Sequence, residues 1–427
     1  MGTAVSGLDS LRYRNPVLRT PTRLLAVSTL LGPEDLTTDT MTHEADRLRS
    51  VAQQINRQPA EYDTITSAEM IGWHHLDASA RQRWKELRAT QPEFSTPFFS
   101  LEFIDAVHAA RGDVNVILML ERNRLLGMLP IHQVGRTAVP AGRFFNDAHN
   151  VVMAPDTELD WLWMLDRCGL RSFDFHALVG QTADLSSDWV DGSTQSFSAS
   201  LGSDSIAFLS SLEREHKTIR KQDQKTRKME RELGDVRLEM DCRDPELLAQ
   251  AIEWKRNQYR RTNILDLFTP DWTREMARLL HAKPNDQPIA NCTMRGMLSV
   301  LRAGDEVVAM HYGMIEAGLL HYWFPVYNPA FSIYSPGTAL FKAIVRESTA
   351  LGIQCIDMGY GEQPYKRKQT DTITTVSHGN VCGSSLHRTF RRAKQSIINT
   401  LKRAPLKNQL KSVLRTIQPN AGIGKIK

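Results

Sequence analysis

The residue types able to move a proton or hold an anion gather between His311 and Lys366. His311 stands in Val307-Val308-Ala309-Met310-His311-Tyr312-Gly313, and His321 in Leu319-Leu320-His321-Tyr322-Trp323-Phe324. A neutral imidazole is a ready general base; the alternative for either is a buried histidine satisfied by a neighbour. The segment Asp357-Met358-Gly359-Tyr360-Gly361-Glu362-Gln363-Pro364-Tyr365-Lys366 then combines glycines, carboxylates, tyrosines and a lysine. Asp357 and Glu362 are further candidate bases, Tyr365 is an acid for a leaving group, and Gly359, Gly361 and Lys366 suit substrate contacts. A glycine turn with surface polar residues is the plainer reading. Between these clusters lies Ser335-Pro336-Gly337-Thr338-Ala339. Proline fixes the approach to a helix, glycine lets a backbone come close to a ligand, and a first helical turn offers free N–H groups to an anion. A helix start of this composition needs no ligand to explain it.

The turn between the two histidine strands decides which faces they occupy. With a two-residue loop, Ala317-Gly318, Met314 faces His321 and the histidines fall on opposite faces, but Ala317 must adopt φ > 0. With a three-residue loop, Glu316-Ala317-Gly318, the glycine takes the left-handed position and Gly313 faces His321. The second register is expected. It puts His311, His321 and Trp323 on one face, with His311 the leading base and His321 and Trp323 beside the substrate.

The surrounding pattern mixes helix and strand. Met297–Arg302, Glu306–Ile315 and Leu319–Val326 read as strands, Pro329–Gly337 as a loop, Thr338–Leu351 as a helix and Ile353–Met358 as a strand, with Asp371–Cys382 returning. Upstream, Arg81–Ala89 and Leu101–Ala110 suit helices, Val114–Glu121 and Leu125–Gln133 a hairpin, Leu159–Leu170 a helix and Phe173–Leu178 a strand. The polar stretch Gly192–Asp204 suits a junction, Ile206–Leu233 one long charged helix and Pro245–Arg260 another. The charges of 213–232 fit ion pairs on a solvated face or a phosphate-facing stripe. Residues 1–60 read as a polar arm with a helix near 42–56, and Met41 is an alternative start.

Composition narrows the class. Hydrophobic residues at 41% and charged residues at 24% of 427 exclude disorder over the whole chain. No run approaches the roughly 18 apolar residues of a membrane span, and the arginine-punctuated start does not read as a signal peptide. Five scattered cysteines without a C-x-x-C pair argue against a disulfide framework and a zinc cluster, and point to a reducing, cytoplasmic home. No third metal ligand has supporting spacing, so no metal is expected. No G-x-S-x-G elbow, Walker loop or G-x-G-x-x-G fingerprint occurs. From Leu386 to Lys427 there are 11 Lys and Arg and no acid, more than the whole net charge of +5. The tail is therefore strongly basic and the body mildly acidic. Leu386, Phe390, Ile397, Ile398 and Leu401 fall roughly on one helical face. That suits an anionic membrane surface, or a helix packed on the body with a loose basic end.

The order hairpin, strand, Tyr334-Ser335-Pro336-Gly337, helix, strand, Asp357-Met358-Gly359-Tyr360-Gly361, Tyr365-Lys366 resembles the CelD/BcsL-type acetyltransferases, a branch of the GNAT superfamily. His321-Tyr322-Trp323-Phe324-Pro325-Val326-Tyr327-Asn328-Pro329 is similar to the same family, as are Pro97-Phe98-Phe99-Ser100-Leu101-Glu102-Phe103, Leu129-Pro130-Ile131 and Asn146-Asp147-Ala148-His149. The resemblance spans roughly residues 70 to 385. It implies an α+β fold of two tandem GNAT-like halves, each a mixed central sheet with flanking helices, similar to the Fem-type transferases. It also implies acetyl-CoA or another acyl-CoA as donor, held in the second half by Ser335, Pro336, Gly337, Thr338 and Ala339. One departure stands out: the usual pyrophosphate loop begins with Arg or Gln, and here Tyr334 stands in that position.

The expected layout is an arm over 1–65, a first GNAT-like domain over 66–200, a second over 201–385 and the basic tail over 386–427. The expected function is acyl transfer to an amine or hydroxyl of a polysaccharide, cellulose-related or cell-envelope precursor. It takes place in the cytoplasm, at the inner face of the membrane if the tail binds there. One alternative is a Fem-like transferase using aminoacyl-tRNA, which the basic 213–232 stretch would suit; otherwise nucleic acid is not an expected partner. Another is a non-catalytic scaffold whose tail binds a membrane or partner.

Overall fold

The computed structural model describes residues 64–180 and 185–384. The helix expected near 42–56 and the basic tail over 386–427 lie outside the described residues. The first half runs β1 (Ser67–Gly72), α1 (Ala78–Ala89), α2 (Leu101–Arg111), β2 (Val114–Glu121), β3 (Arg124–Val134), β4 (Thr137–Pro140), β5 (Val152–Met153), α3 (Trp161–Arg167), β6 (Ser172–Leu178) and β7 (Val190–Ser200). Then come α4 (Ser205–Glu215), α5 (Lys217–Arg220) and α6 (Gln222–Leu233). The second half runs β8 (Val236–Cys242), α7 (Pro245–Thr262), α8 (Asp271–His281), β9 (Arg295–Ala303), β10 (Glu306–Glu316), β11 (Leu319–Tyr327), α9 (Pro336–Leu351), β12 (Cys355–Tyr360), α10 (Lys366–Gln369) and β13 (Thr372–Cys382).

The two halves repeat one pattern. Strands β1 to β4 pair antiparallel in sequence order, as do β8 to β11, and each run is followed by a parallel pair, β4 with β6 and β11 with β12. The last strand of each half then crosses over. β7 adds antiparallel to β12, β13 adds antiparallel to β6, and β7 and β13 pair with each other. The result is one continuous mixed sheet with flanking helices, an α+β architecture.

This exchange explains a misreading of the sequence. Gly192–Asp204, expected as a polar junction, is mostly β7, near the middle of the sheet. Strands on both sides satisfy its backbone, while within the strand only Phe197 and Ala199 are buried, so the sequence carries no hydrophobic run there.

The long helix expected over Ile206–Leu233 is broken at His216, whose backbone is extended. The break lets chain on both sides reach the buried Lys342 of α9. Its ammonium donates to Glu213 at 2.6 Å and to the Ile219 carbonyl at 3.2 Å, and pairs with Asp223 at 2.8 Å. An uninterrupted helix would carry one of these acids past the lysine.

On one sheet face a single apolar core joins both halves: Phe98, Phe103 and Phe145 pack with Phe268, Met276 and Phe324, and α2 lies against α8. On the other face, α4 to α6 and α9 cover the second half, and α3 covers the first.

The β10–β11 turn takes the register that was not expected. Met314 faces His321 and Glu316 faces Leu319, leaving a two-residue turn with Ala317 at φ 44° and Gly318 at φ 80°. A left-handed alanine costs about 1–2 kcal/mol. Tertiary hydrogen bonds offset this cost: the Ala317 N–H donates to the Cys292 carbonyl at 3.1 Å and the Gly318 N–H to the Ile289 carbonyl at 3.0 Å. Farther along, Tyr312 faces Phe324, so Gly313 alone opposes Tyr322 and Trp323 in a bulge. A Cβ on Gly313 would lie 2.2 Å from the His321 carbonyl oxygen, so the bulge requires glycine.

Candidate functional site

β11 and β12 are parallel neighbours only from Leu319↔Cys355 to His321↔Asp357. Past that point they splay: β11 stays on β10 as far as Tyr327, while β12 turns at Gly359 (φ 67°) and rejoins β7. A cavity of about 320 Å³ opens beside the splayed end of β11. Its walls include Tyr322 and Pro325 of β11, Ser335–Thr338 at the start of α9, Tyr365, and Gln258 of α7. The structure thus unites Ser335, Pro336, Gly337 and Thr338 with Tyr365. Ala339 does not join them; its side chain is buried in the core beneath α9.

The helix begins earlier than the sequence pattern suggests, at Pro336, and Pro329–Tyr334 is a 3-10 turn. Ser335 is left-handed (φ 53°) and its side chain does not cap the helix. A Cβ at Gly337 would meet only the Tyr327 ring, at 3.9 Å. The fold itself does not need glycine there, and the space beside it is open. The buried Tyr322 hydroxyl has no hydrogen-bond partner, an orphaned polar group in the cavity wall.

Next to the splay lies a charged cluster built from both halves. His321 is fully buried; its Nδ1 is 2.9 Å from Asp357 Oδ2 and its Nε2 is 3.5 Å from Asp147 Oδ2. Burial alone would lower its pKa, but the charge of Asp357 and the contacts with Asp147 outweigh burial and raise it to about 9. Burial likewise opposes ionisation of Asp357, yet the His321 charge and the Gly359 N–H, 2.8 Å from Asp357 Oδ1, hold its carboxyl below the usual range. A Cβ on Gly359 would fall 2.7 Å from Asp147 Oδ2, so this glycine makes room for the carboxylate. Lys366 is buried, donates to the carbonyls of Gly359 (3.1 Å) and Tyr360 (2.7 Å), and has its pKa lowered by burial against the pull of Asp147 and Asp357. His321, Asp357, Gly359 and Lys366 therefore do converge.

The other sequence candidates separate from this group. His311 lies on the opposite face from His321 and Trp323, so the expected shared wall does not form. It stacks on Tyr322 at 4.1 Å with the His321 carbonyl alongside, and neither ring nitrogen makes a hydrogen bond. Burial, then the His321 charge, pushes its pKa down to about 3. Trp323 shares the His321 face, at 6.2 Å between rings, but packs among Phe98, Phe145 and Phe324. Glu362 is exposed and pairs with Arg367 at 3.2 Å, and a Cβ on Gly361 would meet nothing within 4 Å.

Two residues of the site carried little sequence signal. Asp147 entered only through the family resemblance. Lys255 of α7 had no signal at all. Its ammonium donates to the Pro325 carbonyl at 3.3 Å and stands 5.4 Å from the Tyr259 ring and 5.9 Å from Phe324. Among the described residues no carboxylate pairs with it. Burial, then the charge of Lys366, lowers its pKa to about 8. Tyr365 shifts the other way: although the residue is 37% exposed, crowding by protein around its phenol, then the charge of Asp147, raises its pKa to about 12.

The first half differs at the corresponding place. Its α3 is capped by Asp160, whose carboxylate accepts from the Trp163 N–H at 3.0 Å. That end already carries its own negative charge. Among the described residues, no group of three or more His, Cys, Asp or Glu is placed to hold a metal, and no helix is long and apolar enough to cross a membrane.

A comparison with curated proteins gave no match. Several solved structures are similar at low identity. The C-terminal domain of a putative lysylphosphatidylglycerol synthetase from Agrobacterium fabrum has 11% identity and a TM-score of 0.45, covering 75% of this chain and 97% of that one. FemX has 9% identity and a TM-score of 0.47, covering 70% and 94%. A tandem GNAT protein from the clavulanic acid biosynthesis pathway has 9% identity and a TM-score of 0.42, covering 74% and 99%. The family match falls on the second half, where residues 216–367 match the acetyltransferase (GNAT) domain. That stretch runs from the break before α5, through the splayed strands and the start of α9, into α10, and with it the chain carries the domain of a GNAT acyltransferase.

Proposed function

We propose that the protein transfers an acyl group from acyl-CoA, most simply acetyl-CoA, to an amine or hydroxyl of a polysaccharide or cell-envelope precursor. The observation that carries the donor assignment is the cavity beside the splayed strands, with an uncapped helix start, an unneeded glycine and an orphaned Tyr322 hydroxyl in its wall. The acceptor class rests on the family resemblance alone.

In this reading the thioester lies along the open edge of β11, where backbone N–H groups polarise the acyl carbonyl. Lys255 takes the proton of the attacking amine or hydroxyl as the new bond to the acyl carbon forms. A value of about 8 leaves roughly a tenth of it neutral at pH 7, enough for a general base. The carbon–sulfur bond then breaks, and the Tyr365 phenol, kept protonated by its raised pKa, donates to the departing thiolate. His321 stays cationic between Asp147 and Asp357 and acts as a positioning residue, fixing β12 and the first half against β11. Asp357 serves it as counter-ion.

Pure protein incubated with acetyl-CoA and candidate envelope precursors, followed by mass spectrometry, tests the reading. An acetylated precursor supports it. Acetyl-CoA binding without any product favours a scaffold, and salt-sensitive binding of tRNA without acetyl-CoA binding favours the aminoacyl-tRNA alternative.

A further inference from the structure

Tyr334 occupies the loop position where a basic or amide side chain is usual, and the structure meets that lack from another element. One face of α6 lies along the loop. Gln222 Nε2 donates to the Tyr334 carbonyl at 2.9 Å, Lys225 Nζ donates to Ser335 Oγ at 2.7 Å, Lys228 Nζ stands 6.0 Å from the Tyr334 ring centre, and the Tyr334 hydroxyl donates to Glu232 at 2.5 Å. Spacings of three and four residues put all four on one stripe of the helix. Three of them are committed: Gln222 is buried, and Lys228 and Glu232 pair at 3.8 Å. Lys225 is exposed, and among the described residues no carboxylate lies within ion-pair distance of it. Its ammonium is held at the uncapped start of α9 by Ser335, which lines the same cavity as the unpartnered Tyr322 hydroxyl. Pro336 has no N–H, and the Thr338 and Ala339 N–H groups donate to the Ser335 carbonyl at 3.0 and 3.2 Å, so a phosphate there meets the Gly337 N–H and a lysine cation together.

We propose that Lys225 holds a phosphate of the donor, supplying from α6 the positive charge that the loop itself lacks. The inference rests on the acyl-CoA reading and adds to it a specificity residue from outside the loop. It also gives the charged stretch 213–232 a phosphate-facing member without making the whole helix a nucleic-acid surface.

The test is calorimetry on the full chain and its Lys225→Glu and Lys225→Arg variants, with acetyl-CoA and with acetyl-pantetheine, which has no phosphate. Lys225→Glu should weaken acetyl-CoA binding about tenfold or more, the scale of one lost charge-assisted contact. Lys225→Arg should restore most of it, and acetyl-pantetheine should bind all three proteins alike. Equal acetyl-CoA affinity in wild type and Lys225→Glu overturns this inference and leaves the donor assignment standing. Parallel weakening of acetyl-pantetheine overturns it too, because the lysine then acts through loop shape. Wild type that binds no acetyl-CoA overturns the donor assignment and this inference with it.

Discussion

His321 and Asp147 belong to different halves of the chain, yet Nε2 of one lies 3.5 Å from a carboxylate oxygen of the other in a buried site. The contact ties the two halves together at the point where β11 and β12 part. It also makes His321 a proton store, because a second carboxylate, Asp357, holds its other ring nitrogen at 2.9 Å.

Stability should therefore depend on pH through His321. Its folded pKa, about 9, is raised above the ordinary 6.5, so the folded state binds this proton more tightly than the unfolded state does. The resulting stabilisation is fully present below about 6.5 and is lost as pH rises through about 9. The unfolding free energy read from urea titrations should fall over that window by about 3 kcal/mol. Asp147→Asn should flatten the fall; an equally steep fall in that variant would detach Asp147 from the effect.

Two glycines in the site should respond oppositely to a side chain. Gly359 is left-handed (φ 67°) and a Cβ there meets Asp147, so Gly359→Ala should cost about 1–3 kcal/mol in denaturant titration. Gly337 has open space, so Gly337→Val should leave the unfolding midpoint nearly unchanged and weaken acetyl-CoA binding in calorimetry. Unchanged affinity would move the donor site elsewhere.

Lys255 should behave as an amine near neutral pH. Competitive labelling with acetic anhydride should report a titration midpoint near 8 for Lys255, well below that of surface lysines. Lys255→Met should lower turnover roughly 10²-fold with little change in acetyl-CoA affinity, and Lys255→Arg, which keeps its proton, should not rescue it. Full turnover by Lys255→Arg would rule out the base role.

His311 should act through packing. With a pKa near 3 and its ring stacked on Tyr322, it stays neutral across the working range. His311→Phe, which preserves a stacking ring, should keep the wild-type shape of the pH–rate profile. Loss of one limb of that profile would restore His311 to the proton-transfer chain.

Local chemistry was legible in the chain wherever it is local in space. The Pro336-Gly337 helix start, Tyr365 and the Asp357-to-Lys366 turn are each fixed by a few consecutive residues, and all were readable as candidates. The β10 and β11 strands were likewise visible, because alternation and turn residues mark them. The register between them was not. Turn propensity alone disfavours a left-handed Ala317, and the carbonyls of Cys292 and Ile289 that hold it there come from a distant segment. That choice of register sends His311 and His321 to opposite faces. β7 is unmarked for a related reason: apart from Phe197 and Ala199 its side chains stay at least partly exposed, and the strands that pair with it, β12 and β13, lie far away in the chain. Asp147, Lys225 and Lys255 carry ordinary side chains in ordinary contexts. Their positions beside His321, Ser335 and Pro325 follow from strand exchange and helix packing, and those long-range contacts leave no mark on the neighbouring sequence.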